Sequence, residues 1–185
     1  TTDSEGNIVG WGGDGLAEFR LFNGKLQFLM LGSSSSPGFQ FVNTSSIINN
    51  DVWTHVAVAK NGSDVKLFVN GVEEGSTTMT LQFTYTYFYV GSGGPNLTVN
   101  LEGSMDELRI WNTAKTASEI LAKMNCELPS AVPDLTANYH FNQGDAGGIN
   151  PTVNILVDSS GNGNNGALQN FNLFGAISNW VAPGA

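Results

Sequence analysis

Val56-Ala57-Val58-Ala59-Lys60-Asn61-Gly62-Ser63-Asp64-Val65-Lys66-Leu67-Phe68-Val69-Asn70-Gly71-Val72 is the stretch that decides the fold. Two runs rich in β-branched and apolar residues, 56–59 and 65–68, flank Asn61-Gly62-Ser63-Asp64, and a second Asn-Gly pair follows at Asn70-Gly71. Asn and Gly accept the positive φ that a tight hairpin turn requires, so the stretch reads as an antiparallel hairpin ending in another turn. Earlier in the chain, Asn23-Gly24 separates Phe19-Arg20-Leu21-Phe22 from Lys25-Leu26-Gln27-Phe28 in the same way.

Working outward, short runs of Val, Phe, Tyr, Thr and Ile recur between clusters of Gly, Asn, Ser and Pro, the pattern of a sandwich or barrel. Strands are expected near 7–11, 16–22, 25–31, 38–42, 52–60, 65–70, 81–90, 103–111, 135–142 and 166–174. In the run 83–90, Phe83, Tyr85, Tyr87 and Tyr89 alternate with Thr84, Thr86, Phe88 and Val90, which predicts a tyrosine stripe on one face. One short helix is expected near 117–125, where Thr116 can cap, Glu119 completes a capping box, and Ile120, Leu121 and Met124 fall at helical spacing. Residues 32–38 and 142–151 read as loops. Glu73-Glu74 reads as part of a turn.

A chain of 185 residues suits one domain, and 41% hydrophobic content suffices for a substantial core. A net charge of −9 repels phosphate backbones and anionic headgroups, so nucleic acid is excluded as a partner and membrane binding disfavoured. Nothing in the chain is apolar for long enough to insert into a bilayer. Only 12% of residues are charged; solubility rests on Asn, Ser, Thr and Gly, a composition common in secreted all-β proteins. Cys126 is the single cysteine, which rules out an intrachain disulfide and reads as a buried or half-buried small residue. The opening Thr1-Thr2-Asp3, without Met or leader, reads as the start of a mature or excised piece.

Three blocks, Asp51-Val52-Trp53-Thr54-His55-Val56-Ala57-Val58-Ala59-Lys60, Leu67-Phe68-Val69-Asn70-Gly71-Val72 and Gly103-Ser104-Met105-Asp106-Glu107-Leu108-Arg109-Ile110-Trp111-Asn112, resemble the laminin-G-like jelly-roll domains. These domains belong to the concanavalin A-like lectin/glucanase superfamily. Leu135-Thr136-Ala137-Asn138-Tyr139-His140-Phe141-Asn142 with Asp158-Ser159-Ser160-Gly161-Asn162-Gly163-Asn164-Asn165-Gly166 looks like that family's usual opening strand and turn, here at the end of the chain. Such an order is similar to modules of bacterial surface proteins. The resemblance implies an all-β, antiparallel two-sheet jelly-roll sandwich spanning 1–185 and lacking two core strands before Asn7, for which only the stub Thr1-Thr2 is present. A neighbouring domain or chain is then expected to cover an exposed sheet edge.

The resemblance also implies sites. Family members often hold a structural calcium ion through an Asp of a late strand plus loop oxygens. Asp106 matches that Asp, and Asp158, Asn162 and Asn164 are candidate further ligands. The other reading of 158–164 is a plain turn, in which Asn and Gly serve left-handed conformations. Related folds stack sugar rings on exposed aromatics, so Trp11, Tyr85, Tyr87 and Tyr89 are the candidate carbohydrate site; the alternative is that the tyrosines form a core face. Glucanase relatives carry paired carboxylates on one strand, and no such strand is present. His55 and His140 lack a nearby nucleophile motif and read as structural or surface residues. Sequons at Asn43, Asn61 and Asn96 are no more than chance supplies. The expectation is an extracellular or cell-surface, non-catalytic binding or adhesion module for carbohydrate or glycoprotein. The alternative is a spacer or protein-interaction domain with no sugar ligand.

Overall fold

The computed structural model describes residues 5–35, 37–48, 52–81, 84–93, 99–175 and 179–182. The Thr1-Thr2 stub, Phe83 of the stripe and the Asn96 sequon lie outside the described residues. In chain order the strands are β1 Gly6–Phe22, β2 Lys25–Leu31, β3 Phe39–Asn43, β4 Val56–Asn61, β5 Asp64–Val69, β6 Val72–Thr78, β7 Thr84–Val90, β8 Leu108–Trp111, β9 Leu135–Tyr139, β10 Ile155–Leu156 and β11 Gly166–Ala167. A single helix among the described residues, α1 Ala117–Lys123, falls between β8 and β9. The architecture is the all-β, antiparallel jelly-roll class with one short helix. No helix of the described residues is long and apolar enough to cross a membrane. The chain falls into two compact units, 1–102 with 114–124, and 103–113 with 125–185.

In the first unit one sheet has the order β3-β2-β1-β7 and another β4-β5-β6. Their hairpins close as the sequence dictates. Asn23-Gly24 (φ 50 and 72) and Asn70-Gly71 (φ 49 and 78) both hold the double positive φ of a type I′ turn. Gly62 (φ 57) opens the Gly62-Ser63 loop between the paired Asn61 and Asp64. Alternation then sorts the side chains: Val65 and Leu67 of β5 are wholly buried toward one side, and Phe68, 2% exposed, toward the other. Phe68 clusters with Ala59, Ala57 and Ile120, so α1 covers that side of the three-stranded sheet. The helix starts where expected: the Thr116 hydroxyl accepts from Glu119 N, and the Glu119 carboxylate accepts from Thr116 N at 2.8 Å. The larger sheet packs Ala17, Phe19, Leu26, Phe28, Met30 and Val42 into the core, and its strands β2 and β3 contact β5.

Two local expectations are corrected. The separate strands at 7–11 and 16–22 are one strand, because Gly12-Gly13-Asp14-Gly15 stays in the strand through a register shift at Gly12/Gly13, with Gly15 at φ 96, instead of turning. Glu73-Glu74 lies on β6. A run as polar as Val72–Thr78 has weak intrinsic strand preference, but the Asn70-Gly71 turn returns it along β5, where Glu73 pairs with Lys66 at 2.8 Å.

In the second unit β8 pairs with β9, and β10 with β11. Leu108, Ile110, Ala137 and Tyr139 form the apolar side of the first pair, packed with Leu156, Phe171 and Trp180. The Trp180 indole lies on Gly144, where an added Cβ would come within 2.3 Å of the ring. The expected strand 166–174 is reduced to Gly166–Ala167.

Candidate functional site

The four residues expected to stack on sugar do not share a face. Trp11 sits opposite Phe88 in the β1–β7 ladder and packs its ring against Phe88 (5.3 Å between centroids) and the core residue Phe28 (6.4 Å). Tyr87 and Tyr89 project from β7 on the opposite side to Phe88, opposite Gly12 and Gly10, with their rings 5.2 Å apart. Tyr87 lies over Gly12, where any Cβ would meet the phenol ring at 2.3–2.4 Å. The register shift then sets Tyr85 opposite Gly13, a position adjacent to Gly12 on β1, and Tyr85 is 64% exposed. The bulge takes it out of the stripe.

A different surface brings exposed aromatics and polar groups together. Across β1, β2 and β3, Glu18 faces Leu29 and Phe41, while Arg20 faces Gln27 and Asn43. Arg20 Nε donates to Gln27 Oε1 (2.9 Å), and Gln27 Nε2 donates to Asn43 Oδ1 (2.7 Å), a polar ladder across three strands. Arg20 also pairs with Glu18 at 3.2 Å and lies 4.7 Å over the Phe22 ring. Burial pushes the Glu18 carboxyl above its ordinary range, and the attraction of Arg20 opposes the shift. Beside the ladder, Phe39 and Phe41 stand 55% and 50% exposed with centroids 5.5 Å apart. Sequence reading missed this pair, since hydrophobicity alone assigns Phe39 and Phe41 to the core and Gln40 to solvent. The structure inverts that assignment: Val42 is buried, and the Gln40 amide oxygen accepts from Thr80 N (2.9 Å) and Leu81 N (3.1 Å).

The calcium candidates form a hydrogen-bonded loop. Asp158 Oδ1 accepts from Asn138 N and Ser160 N, both at 2.9 Å; Oδ2 accepts from Ser160 Oγ (2.9 Å) and Asn164 N (2.8 Å). Burial alone pushes the Asp158 carboxyl up, but these four bonds outweigh it and hold it below the usual range. Asn162 Nδ2 donates to Leu135 O (2.8 Å) and Thr136 O (3.0 Å), Asn164 Nδ2 donates to Thr136 O (2.9 Å), and the Tyr139 hydroxyl donates to Asn164 O (2.6 Å). Both Asp158 oxygens are thus occupied by donors, and calcium requires six to eight oxygen ligands. No group of three or more His, Cys, Asp or Glu side chains able to hold a metal occurs among the described residues. In this arrangement the 158–164 loop is held as a hydrogen-bonded turn around Asp158. With the loop closed by its own hydrogen bonds, the chain's melting midpoint is expected to stay unchanged on complete chelation; a drop on chelation that calcium restores would contradict this.

Asp106 lies apart from that loop's hydrogen bonds. Its Oδ1 accepts from Glu107 N at 2.9 Å, and burial is the first cause raising its carboxyl. Glu107, in the left-handed region at φ 51, accepts from Arg109 Nη2 (2.7 Å) and bonds His140 Nδ1 (2.7 Å). His140 Nε2 lies 3.1 Å from Asn138 Nδ2. When Nδ1 carries the proton toward Glu107, Nε2 accepts from the Asn138 amide. The histidine is therefore part of a structural network, in keeping with the sequence reading. Cys126 is exposed, which corrects its expected burial; a loop carries it, and its carbonyl accepts from Arg109.

A family model described as concanavalin A-like lectin/glucanases superfamily matches residues 1–121. A solved structure from Bacteroides ovatus ATCC 8483, provisionally described as a carbohydrate-binding protein, is similar over 91% of this chain with a TM-score of 0.68 and 18% identity. An S-layer domain-containing protein from Clostridium thermocellum ATCC 27405 is 26% identical over 66% of this chain, with a TM-score of 0.39. The chain spans 49% of the first structure and 63% of the second. No curated protein matches.

Proposed function

Because the chain belongs to the concanavalin A-like lectin/glucanases superfamily, we propose that it is a non-catalytic, extracellular carbohydrate-binding module whose ligand lies on the β1–β2–β3 face bearing Phe39 and Phe41. The observation that carries this reading is the pair of half-exposed phenylalanines beside the Glu18–Arg20–Gln27–Asn43 ladder. Exposed apolar rings on a sheet are costly unless something covers them. A sugar ring offers C–H groups to the phenyl faces and hydroxyls to fixed amide and guanidinium groups. The ladder is already hydrogen-bonded internally, so it meets a ligand with its side chains held in place.

Charge narrows the ligand to neutral glycans. Arg20 is neutralised by Glu18, and the net charge of −9 opposes sulfated or uronate polymers. Four of the carboxylates are engaged by neighbouring groups: Glu18 by Arg20, Glu73 by Lys66, Glu107 by Arg109 and His140, and Asp158 by its four donors. The description of the Bacteroides ovatus protein supports the sugar reading.

A glycan array probed with the intact chain tests the proposal. Saturable binding to neutral glycans, insensitive to salt, is expected, and Phe41→Ala is expected to weaken it about tenfold, roughly 1.4 kcal/mol, without lowering the melting midpoint. Silence across neutral glycans overturns the sugar reading; the same apolar pair then serves a neighbouring domain or chain.

A further inference from the structure

Five Asn-Gly pairs occur in the chain, at 23–24, 61–62, 70–71, 162–163 and 165–166. We propose that Asn61 is a self-modification site, losing its side-chain amide to attack by the Gly62 backbone nitrogen, while the fold protects the other four pairs.

The only co-reactant is water. Gly62 N bonds to Asn61 Cγ, the Cγ–Nδ2 bond breaks, and ammonia leaves carrying the Gly62 amide proton, which closes a five-membered imide. Water then opens the ring. Addition at Cγ leaves aspartate at position 61, and addition at the backbone carbonyl of the same residue leaves isoaspartate, in which the main chain runs on through the side chain. One water is consumed and one ammonia released. Glycine is the following residue that hinders the attack least, because it carries no Cβ.

The same dipeptide meets different surroundings at each place. Asn70 Oδ1 accepts from His55 N (3.0 Å), and Asn165 Oδ1 accepts from Asp158 N (2.8 Å). Asn162 Nδ2 donates to Leu135 O (2.8 Å) and Thr136 O (3.0 Å). Turning any of these amides toward the next nitrogen breaks the bonds that hold it. Asn23 is restrained through its backbone instead. Its φ of 50 is left-handed, and that conformation sets the following nitrogen almost opposite the Cβ, whereas ring closure needs both on one side. Ile48 N, donating to Gly24 O (2.7 Å), and the Ile47 side chain against Gly24 brace that turn.

Asn61 has none of these restraints. It is exposed, it ends β4 in extended backbone, and its side-chain amide makes no hydrogen bond among the described residues. The β4–β5 ladder closes with the Asn61–Asp64 pair, so the Gly62 N–H lies beyond it in the exposed Gly62-Ser63 loop. Nothing stands within 4 Å of where a Gly62 side chain would be. Extended backbone still has to rotate for the attack, and a hairpin tip is where such local opening costs least. The product sets a carboxylate directly across from Asp64, and like charges facing each other on paired strands destabilise the pair.

Peptide mapping of the intact chain after storage in mildly alkaline buffer tests this, with a parallel sample unfolded in guanidinium chloride. Trypsin separates the sites, since Asn61 falls between Lys60 and Lys66, and Asn23 between Arg20 and Lys25. In the folded chain, aspartate and isoaspartate at position 61 are expected to form about tenfold faster than at any of the other four asparagines. In the unfolded sample the five rates should converge. Asn61→Gln, whose longer side chain needs a larger ring, should abolish the product in its own peptide and leave the other four rates unchanged. The proposal is overturned if another Asn-Gly pair reacts as fast as Asn61 in the folded chain, or if no product forms at position 61. It is equally overturned if the same ranking persists in guanidinium chloride, which would assign it to neighbouring sequence rather than to the fold.

Discussion

Replacing Asp158 by Ala is expected to destabilise the chain by about 3–5 kcal/mol, because one buried carboxylate satisfies three backbone N–H groups and a hydroxyl. The residue is only 8% exposed, so water cannot readily replace the lost acceptor for all four donors. Asp158→Asn keeps one acceptor oxygen but turns an N–H toward a donor, and should cost less than Ala. Urea unfolding of the three proteins gives the ranking.

The acid limb provides a second readout. The Asp158 carboxyl is held below its unfolded value of about 3.9. Its contribution is therefore fully present above that value and is lost as pH falls through the lower folded pKa. The stability gap between the wild type and Asp158→Asn should narrow as the medium is acidified below about pH 3.9. A gap that stays constant down to the lowest pH at which both proteins fold would mean that the carboxylate charge contributes nothing.

Phe68→Ala is expected to cost a similar amount, about 3–5 kcal/mol. The ring is 2% exposed and joins the three-stranded sheet to α1 through Ala59 and Ile120. A seven-residue helix is too short to persist in water by its own hydrogen bonds, so it depends on this contact. Hydrogen exchange at Met124 N, which bonds Ile120 O at 2.9 Å, should accelerate beyond what the global loss of stability explains. Unchanged relative protection there would place the helix's anchor elsewhere.

Most of the first unit was legible in the sequence because its signals are local. Asn23-Gly24 and Asn70-Gly71 state a backbone conformation that few other pairs can adopt, and the Thr116–Glu119 box marks the helix start. What was not legible depended on partners distant in the chain. The Tyr85-Tyr87-Tyr89 stripe obeys strict alternation in sequence, but a bulge against Gly12-Gly13 breaks it. Nothing in the sequence states that Gln40 turns inward to accept from Thr80 N and Leu81 N, which leaves Phe39 and Phe41 on the other side of β3. The loop at 158–164 carries the Asp and Asn residues that a cation site and a tight turn both use. In the structure its N–H groups point toward Asp158, which composition alone does not state.

The pairing of β1 with β7 differs in kind from the two-residue hairpins of the same unit. Phe22 meets Lys25 across Asn23-Gly24, whereas Val9 meets Val90 only after all of β2 to β6 has been laid down between them. Hairpins form within about 1–10 μs, while a closure over so long a loop must first overcome a larger entropy loss. The closure of β7 onto β1 is thus expected to follow the two-residue hairpins in folding. Until it shuts, one side of β1 is an unpaired edge, the moment at which the nascent chain is most exposed to pairing with another copy of itself.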